Sequence, residues 1–429
     1  MGPMGLQRTL GLSMLTFYGT GMILGAGIYS IIGKAAGISG DGLWQGFLLA
    51  AAVSLLTAMS YAELSTMFPT AGGEYVYLRR AFAGQRWLAA SVGITVTFAG
   101  CASVATVAIA FAGYLHHFVD WPNLTVALSL IVFFTAINIL GIKQSSWINA
   151  IFTVIEISGL ILFVWLGWNS PDFGKALLVQ PNMATVSSAA LIVFAYLGFE
   201  NIVSLAEEVK QPEKTIPRAI FLSLLISTLL YVFVSLAAVS LMPPDQLAQT
   251  DSALTDAAMI SSARLAGVLG GIALFSTANT ALIGLITASR ILFGISRDGS
   301  LPKVLSKTLS KRKTPWVAAL VSLTVAALLL PLGRVEVLAG IASFSTMIAF
   351  IAVNTTLIVL RRTQPDAKRP FRVPLAVARI PVFPVLAVGS CLVFLFQFDS
   401  EVPFIGTAAF FGSAGLYFLF RRFRTDKSV

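Results

Sequence analysis

The sequence predicts an all-α membrane protein of twelve transmembrane helices, and three observations predict it. Of 429 residues, 57% are hydrophobic and only 11% are charged, against about 25% charged in a soluble domain. Apolar runs recur along the whole length, each near the roughly 20 residues that cross a hydrocarbon layer of roughly 30 Å. Lysine and arginine concentrate in alternate connections between those runs.

The runs lie near residues 10–36, 43–67, 87–115, 123–141, 147–168, 185–208, 219–241, 267–294, 316–332, 335–360, 381–397 and 403–420. An even count puts both termini on one side. That side, with every second connection, holds 24 lysines and arginines, and the other holds four: Lys34, Lys175, Arg264 and Arg334. Arg290 falls inside span 8. Basic loops stay on the cytoplasmic side, so both termini are expected there. The same loops account for the net charge of +10, and no nucleic-acid partner is expected. No cleavable signal is expected either, because the first residues lack a basic segment, a short apolar segment and a small-residue cleavage site. Cys101 and Cys391 fall in spans and read as buried free thiols.

Span 1 carries Gly21, Gly25 and Gly27 within seven residues, in Thr20-Gly21-Met22-Ile23-Leu24-Gly25-Ala26-Gly27-Ile28-Tyr29. Each glycine costs a helix interior roughly 1 kcal/mol relative to alanine. Two readings explain such a stretch: close helix packing through small residues, or an unwound break lining a cavity. A half-helix starting at such a break would aim free N–H groups at a carboxylate. Span 6 carries a second interruption, Phe194-Ala195-Tyr196-Leu197-Gly198-Phe199-Glu200. Spans 1 and 6 occupy corresponding positions if spans 1–5 (8–168) and 6–10 (184–362) are two halves, with spans 11–12 (380–420) outside them. Paired interruptions at corresponding positions are the sequence mark of a binding site in inverted-repeat transporters, which favours the break.

Further motifs follow in order. Tyr61-Ala62-Glu63-Leu64, Pro69 and Gly72-Gly73-Glu74-Tyr75-Val76-Tyr77 end span 2 and enter the next loop. Ala206-Glu207-Glu208, Pro212 and Ile216-Pro217 follow span 6. Ser289-Arg290-Ile291-Leu292-Phe293, Arg297-Asp298-Gly299 and Leu301-Pro302 end span 8. Thr314-Pro315-Trp316 and Arg369-Pro370-Phe371 complete the set. In this order and spacing, over nearly the whole length, the chain resembles the amino acid–polyamine–organocation (APC) superfamily, in particular its bacterial amino acid permeases. The resemblance implies a LeuT-like 5+5 inverted repeat plus two C-terminal helices, in a bacterial-type inner membrane, with alternating access around a central site.

The resemblance also implies site residues. The substrate α-carboxylate would sit on the backbone N–H groups of Gly25, Ala26 and Gly27. Carbonyls of Met22, Ile23, Phe194, Ala195 and Leu197 would hold the α-ammonium. Phe194, Tyr196 and Phe199 are candidates to cover the site, and Thr97, Gly100 and Ser103 of span 3 could line it. Relatives that take basic amino acids often carry an acid in span 3. None lies between Trp87 and His117 here, which favours a neutral substrate. Glu200 could meet a cationic group or hydrogen-bond the free backbone at the break.

Many relatives carry a lysine at the position aligned with Glu156. A carboxyl at that depth must be neutral, paired or holding a cation. Glu156 could therefore carry a coupled proton, or bind sodium with Ser276 or Thr277 of span 8; a paired structural role is the third reading. Glu63, Glu74, Glu207 and Glu208 lie near cytoplasmic ends with Arg79, Arg80, Arg290 and Arg297; a solvated charged rim is expected there, with a salt-bridged gate as the alternative.

The function expected is secondary transport of amino acids, neutral ones favoured, by proton-coupled uptake. Amino acid exchange, cationic amino acids and polyamines included, is the alternative. No cofactor, metal or obligatory protein partner is expected; the partners are an amino acid, a proton or sodium ion, and lipid. His116 and His117 are assigned no metal. No phosphate-binding glycine loop points to ATP, no filter or charge ring to a channel, and no nucleophile–base set to an enzyme.

Overall fold

The computed structural model describes residues 6–116, 119, 121–250, 252–332, 335–396, 398 and 401–425. Within these the chain is almost entirely helical. Ten helical stretches are long and apolar enough to cross a membrane. Two shorter apolar helices, Trp316–Leu329 and Val382–Leu395, stand at the places expected for spans 9 and 11. The chain is an all-α multi-pass membrane protein. His117 and Arg334 lie outside the described residues.

Span 1 is Leu12–Ser39, span 2 Leu43–Met67, span 3 Arg86–His116, span 4 Asn123–Leu140 and span 5 Ile142–Trp168. Span 6 is not a continuous helix. Its first half is Met183–Ile192, followed by 3-10 turns at Val193–Tyr196 and Phe199–Leu205. Span 7 is Pro212–Leu241, span 8 Ala263–Arg297, span 10 Val335–Thr363 and span 12 Glu401–Thr425. Several of the observed helices, spans 5, 7, 8 and 12 among them, run beyond the apolar runs. Span 5 begins at Ile142 rather than near 147, and span 7 at Pro212 rather than near 219, because a helix need not stop where hydrocarbon does.

Small residues let the spans approach closely, as expected where lipid supplies no hydrophobic drive between helices. A methyl carbon built on Gly284 of span 8 would lie 2.6 Å from Val104 Cγ2 and 3.5 Å from the Gly100 carbonyl of span 3. At Gly167 of span 5 it would lie 2.5 Å from Ala237 Cα of span 7. Span 8 is 35 residues long, and from Ser276 to Ser296 every residue is buried.

The ends that carry Arg79, Arg297, Arg361 and Arg369 form one face, the basic face. A short helix, Glu74–Ala81, follows span 2 there. A two-stranded hairpin, Ala376–Val377 with Ile380–Pro381, precedes span 11. On the opposite face, helix Pro244–Ala248 covers the C-terminal half of span 1. A methyl carbon on Gly33 would lie 2.4 Å from the Leu247 carbonyl, so no side chain fits between them.

Candidate functional site

The first half of span 6 starts cleanly. Asn182 caps it, accepting from the Thr185 N–H at 3.1 Å, while Thr185 Oγ1 accepts from the Asn182 N–H. It stops as cleanly. Leu197 is extended (φ −63°, ψ 136°) and Gly198 has φ +138° and ψ −30°, backbone that only glycine adopts without strain. Span 1 breaks at Gly25, where φ is −24° and ψ −148° inside an otherwise helical run. Both stretches are thus interrupted, span 1 at the single residue Gly25 and span 6 around Leu197 and Gly198, and the span 1 glycines also serve close packing.

The two breaks lie against each other, and glycine makes that approach feasible. A methyl carbon on Gly27 would lie 3.0 Å from Ala195 Cα. One on Gly198 would lie 3.0 Å from the Ile23 nitrogen and 2.8 Å from Met22 Cγ. Met22, Ile23 and Gly27 thus meet Ala195 and Gly198, while Gly25 abuts Thr280 of span 8.

A residue outside the expected set joins them. Tyr231 of span 7, fully buried, donates its hydroxyl to the Ile23 carbonyl at 2.5 Å and reaches the Ala195 carbonyl at 3.1 Å. Its single proton serves one carbonyl at a time. Its ring lies 5.3 Å from Phe47 and meets Tyr196 edge-on at 5.2 Å. Tyr196 is accordingly buried against span 7. Phe199 is buried too, between Tyr61 of span 2 at 5.9 Å and Phe350 of span 10 at 5.6 Å. Phe194 alone of the three aromatics is half-buried. Nothing in the sequence singled out Tyr231; its partners are 208 and 36 residues away.

Glu200 turns back on its own break. Its Oε2 accepts from the Gly198 N–H at 2.7 Å and its Oε1 from Asn201 Nδ2 at 3.3 Å. Of the two roles weighed for it, this is the geometry of the backbone one. In span 3, Thr97 bonds its own helix at the Gly93 carbonyl, 2.9 Å away. Gly100 lies against Gly284 and Ala288 of span 8, and Ser103 is half-buried.

Beside the N-terminal half of span 1 lies a polar cluster from spans 5 and 8, all of it buried. Asn149 Nδ2 donates to Asn279 Oδ1 at 2.8 Å; Asn279 Nδ2 reaches Thr153 Oγ1 at 3.2 Å and Glu156 Oε2 at 3.4 Å. Thr153 reaches the Phe17 carbonyl of span 1 at 3.3 Å. The cluster presses on Gly21, where a methyl carbon would lie 2.2 Å from Thr153 Oγ1. The Ser276 hydroxyl lies beside the Glu156 carboxyl, but among the described residues neither it nor the other Glu156 oxygen makes a well-aligned hydrogen bond. No cation is paired with Glu156 among the described residues. Thr277, grouped with Ser276 on sequence, instead bonds the Ala273 carbonyl of its own helix at 3.0 Å. Asn279 and Thr280 carry the polar face; Thr280 abuts Gly25, whose added methyl would lie 2.2 Å from its hydroxyl. Among the described residues no group of three or more histidine, cysteine or acidic side chains is placed to hold a metal.

The basic face is only in part the solvated rim expected: Arg80 is exposed and Arg79 and Arg297 are partly so, whereas other charges are buried in pairs. Arg290 and Glu208 side chains are 0% and 3% exposed and pair through two hydrogen bonds, at 3.3 and 3.2 Å. Arg290 also donates to Asn138 of span 4. Arg297 pairs with Glu207, which accepts from the Ala71 N–H at 2.8 Å. Glu63 is fully buried and pairs with Arg361 at 2.6 Å and Arg369 at 3.0 Å. Glu74 is buried and accepts from Tyr61 at 2.9 Å. Burial pushes its carboxyl up to about 7. The loops fold back over these charges, which the sequence alone does not reveal.

Residues 10–419 match the amino acid permease family model. The chain is 32% identical to the branched-chain amino acid permease of Bacillus subtilis over 417 residues, covering 91% of this chain and 88% of that protein. It is 29% identical to the methylthioribose transporter of the same organism, at 91% and 88% coverage. It is 25% identical to that organism's serine/threonine exchanger, with 96% of each chain covered.

Proposed function

The chain belongs to the amino acid permease family of the APC superfamily, is an amino acid transporter rather than an enzyme, and from that premise we propose proton-coupled uptake of neutral amino acids by alternating access. In this reading spans 1–5 and 6–10 are inverted halves, the basic face is cytoplasmic, and the substrate sits where the two breaks meet. The N–H groups of Gly25, Ala26 and Gly27 take its carboxylate, at the positive end of the outer half of span 1. Its ammonium takes the carbonyls of Met22, Ile23, Phe194, Ala195 and Leu197, displacing the Tyr231 proton from Ile23 or Ala195. Recognition is of the amino acid backbone, and the half-buried Phe194 shapes the side-chain pocket.

The observation that carries the coupling is Glu156. It is buried, has one weak amide donor with the Ser276 hydroxyl beside it and, among the described residues, no cation, and lies in the cluster that presses on Gly21. A carboxyl so placed is stable neutral and costly charged. Loaded with a proton, it lets span 1 settle against spans 5 and 8. Losing the proton charges that seam and favours its opening. Sodium held by Glu156 and Ser276 is the competing occupant. The Glu200 carboxyl, engaged by Gly198 and Asn201, supports a neutral substrate over a cationic one.

The test is uptake of labelled leucine, valine, serine, threonine and lysine into proteoliposomes. Each is run with an inward proton gradient, a sodium gradient, or unlabelled amino acid inside. Neutral amino acids accumulating on the proton gradient alone support the reading. Dependence on sodium, or uptake only against internal amino acid, overturns the coupling.

A further inference from the structure

The loop between spans 10 and 11 is fixed at its base. Val373 is 2% exposed; its N–H donates to Glu63 Oε2 at 2.7 Å, and its carbonyl accepts from Arg361 at 3.0 Å. Glu63 is the carboxylate that pairs with Arg361 and Arg369. The Phe371 N–H donates to Thr66 Oγ1 of span 2 at 3.3 Å, and the Phe371 ring lies 5.5 Å from Phe221 of span 7. Beyond Val373 the chain protrudes. Pro374, Leu375, Ala376, Val377, Ala378 and Arg379 are all exposed, Leu375 at 65% and Val377 at 71%. The chain then returns as the second strand of the hairpin, Ile380 opposite Val377 and Pro381 opposite Ala376. The Val382 N–H, which opens span 11, closes on the Leu375 carbonyl at 3.0 Å.

Two features of this hairpin are costly in water. Its tip is apolar except for Arg379, and a two-stranded hairpin alone is marginal in water. Its backbone is strained as well. Leu375, Ala378 and Arg379 hold φ at 56°, 49° and 69°. Among the described residues these are three of the five non-glycine residues with positive φ, so the strain is concentrated here. Ala378 and Arg379 are the central pair of the turn, where positive φ at both positions normally selects asparagine and glycine. Strained backbone persists only where its surroundings over-determine it. Pinned at Val373 and Val382, the tip cannot fold back on the protein to find such surroundings.

Span 11 brings the surroundings to it. The helix Val382–Leu395 has 14 residues, about 21 Å of length, against roughly 30 Å of hydrocarbon. A span that short draws its flanking residues into the membrane surface. The hairpin is joined to the first residue of that span, so it stands at headgroup depth on the basic face. Arg372 and Arg379, both exposed, flank the apolar tip. We infer that the hairpin, residues 374–381, is a membrane anchor: Leu375 and Val377 enter the boundary between headgroups and acyl chains, and Arg372 and Arg379 take the phosphates of anionic phospholipid. Exposed apolar side chains beside arginines are the chemistry of an interfacial anchor, and cations at the surface favour anionic lipid. The base carries the contact inward, since Glu63 of span 2 and Arg361 of span 10 both hold Val373. The anchor is independent of the substrate and of the coupling ion.

Fluorescence quenching tests this on the full chain. Val377→Cys, in a chain carrying Cys101→Ala and Cys391→Ala, is labelled with an environment-sensitive fluorophore. Lys311→Cys in the same background, exposed on the loop between spans 8 and 9, is the solvated reference. Each is placed in nanodiscs of phosphatidylcholine alone or of equal parts phosphatidylcholine and phosphatidylglycerol. The quencher is either phosphatidylcholine spin-labelled near the headgroup or aqueous acrylamide. The label at 377 is expected to emit to the blue of the label at 311, to be quenched by the spin-labelled lipid, and to be several-fold less open to acrylamide. Both effects are expected to be stronger with phosphatidylglycerol, and Arg372→Gln with Arg379→Gln is expected to remove that gain. Acrylamide quenching equal to that at 311 would overturn the inference, because the tip would be a solvated loop. Shielding from both quenchers would overturn it too, because the tip would then lie against protein, such as a second copy of the chain. Equal lipid quenching in the two membranes would overturn the assignment to anionic phospholipid.

Discussion

A methyl carbon on Gly198 would lie 3.0 Å from the backbone nitrogen of Ile23. The break in span 6 thus rests directly on the backbone of the break in span 1. Gly198 also holds φ at +138°. Gly198→Ala must strain the backbone and push the two breaks apart, for roughly 1–3 kcal/mol of lost stability from the strain alone. Substrate affinity is expected to fall with it. Thermal unfolding and labelled uptake check this; a variant unchanged in both would show that the breaks do not need to touch.

Tyr231→Phe keeps the ring against Phe47 and Tyr196 and removes only the hydroxyl that reaches Ile23 and Ala195. The expected loss of stability is about 1 kcal/mol, the net worth of a hydrogen bond. KM for uptake is expected to shift several-fold, since those carbonyls are the ones assigned to the ammonium. An unaltered KM would take them out of the binding site.

Arg290→Met leaves Glu208 buried without its partner, and such a loss costs about 3–5 kcal/mol. The double variant Arg290→Met/Glu208→Leu removes both charges and is expected to recover much of that loss. Unfolding of the three proteins in detergent decides it. Equal damage in single and double variants would mean that packing, not charge, holds this corner.

Glu74 lies outside the spans, and burial pushes its carboxyl up to about 7 from a usual 4.5. The folded protein therefore holds that proton where the unfolded chain has released it. Its stabilising contribution is complete below about 4.5 and is lost as pH rises through about 7. Glu74→Gln keeps an acceptor for Tyr61 and removes the titration. The wild-type chain should lose stability between pH 5 and 8 faster than the variant; parallel curves would contradict a buried protonated Glu74.

The legible part of this protein is the part written in local sequence. Glycines at 25, 27 and 198 mark both breaks, but close helix packing is the other use an apolar helix has for them, and only the matching positions of spans 1 and 6 favour the break. Glu156 stood out as a lone acid within a span. Tyr231 and Asn279 were not legible, because a tyrosine or asparagine in a span gains meaning only from partners far off in sequence. Asn279 meets Thr153 and Glu156 across more than a hundred residues. Thr277 looked as eligible as Ser276 until helix phase turned it onto Ala273. The Glu208–Arg290 pair was readable as charge but not as burial, since loop sequence does not say which way the loop folds.

Accumulation by Glu156→Gln tests the central claim most directly. Wild-type and variant proteoliposomes are compared for concentrative uptake on an inward proton gradient and for exchange against internal amino acid. The account predicts that the variant exchanges but no longer concentrates substrate, because glutamine mimics the loaded carboxyl and cannot release a proton. A variant that still concentrates substrate on the proton gradient would remove Glu156 from coupling and leave it a structural member of the cluster with Asn149, Thr153 and Asn279.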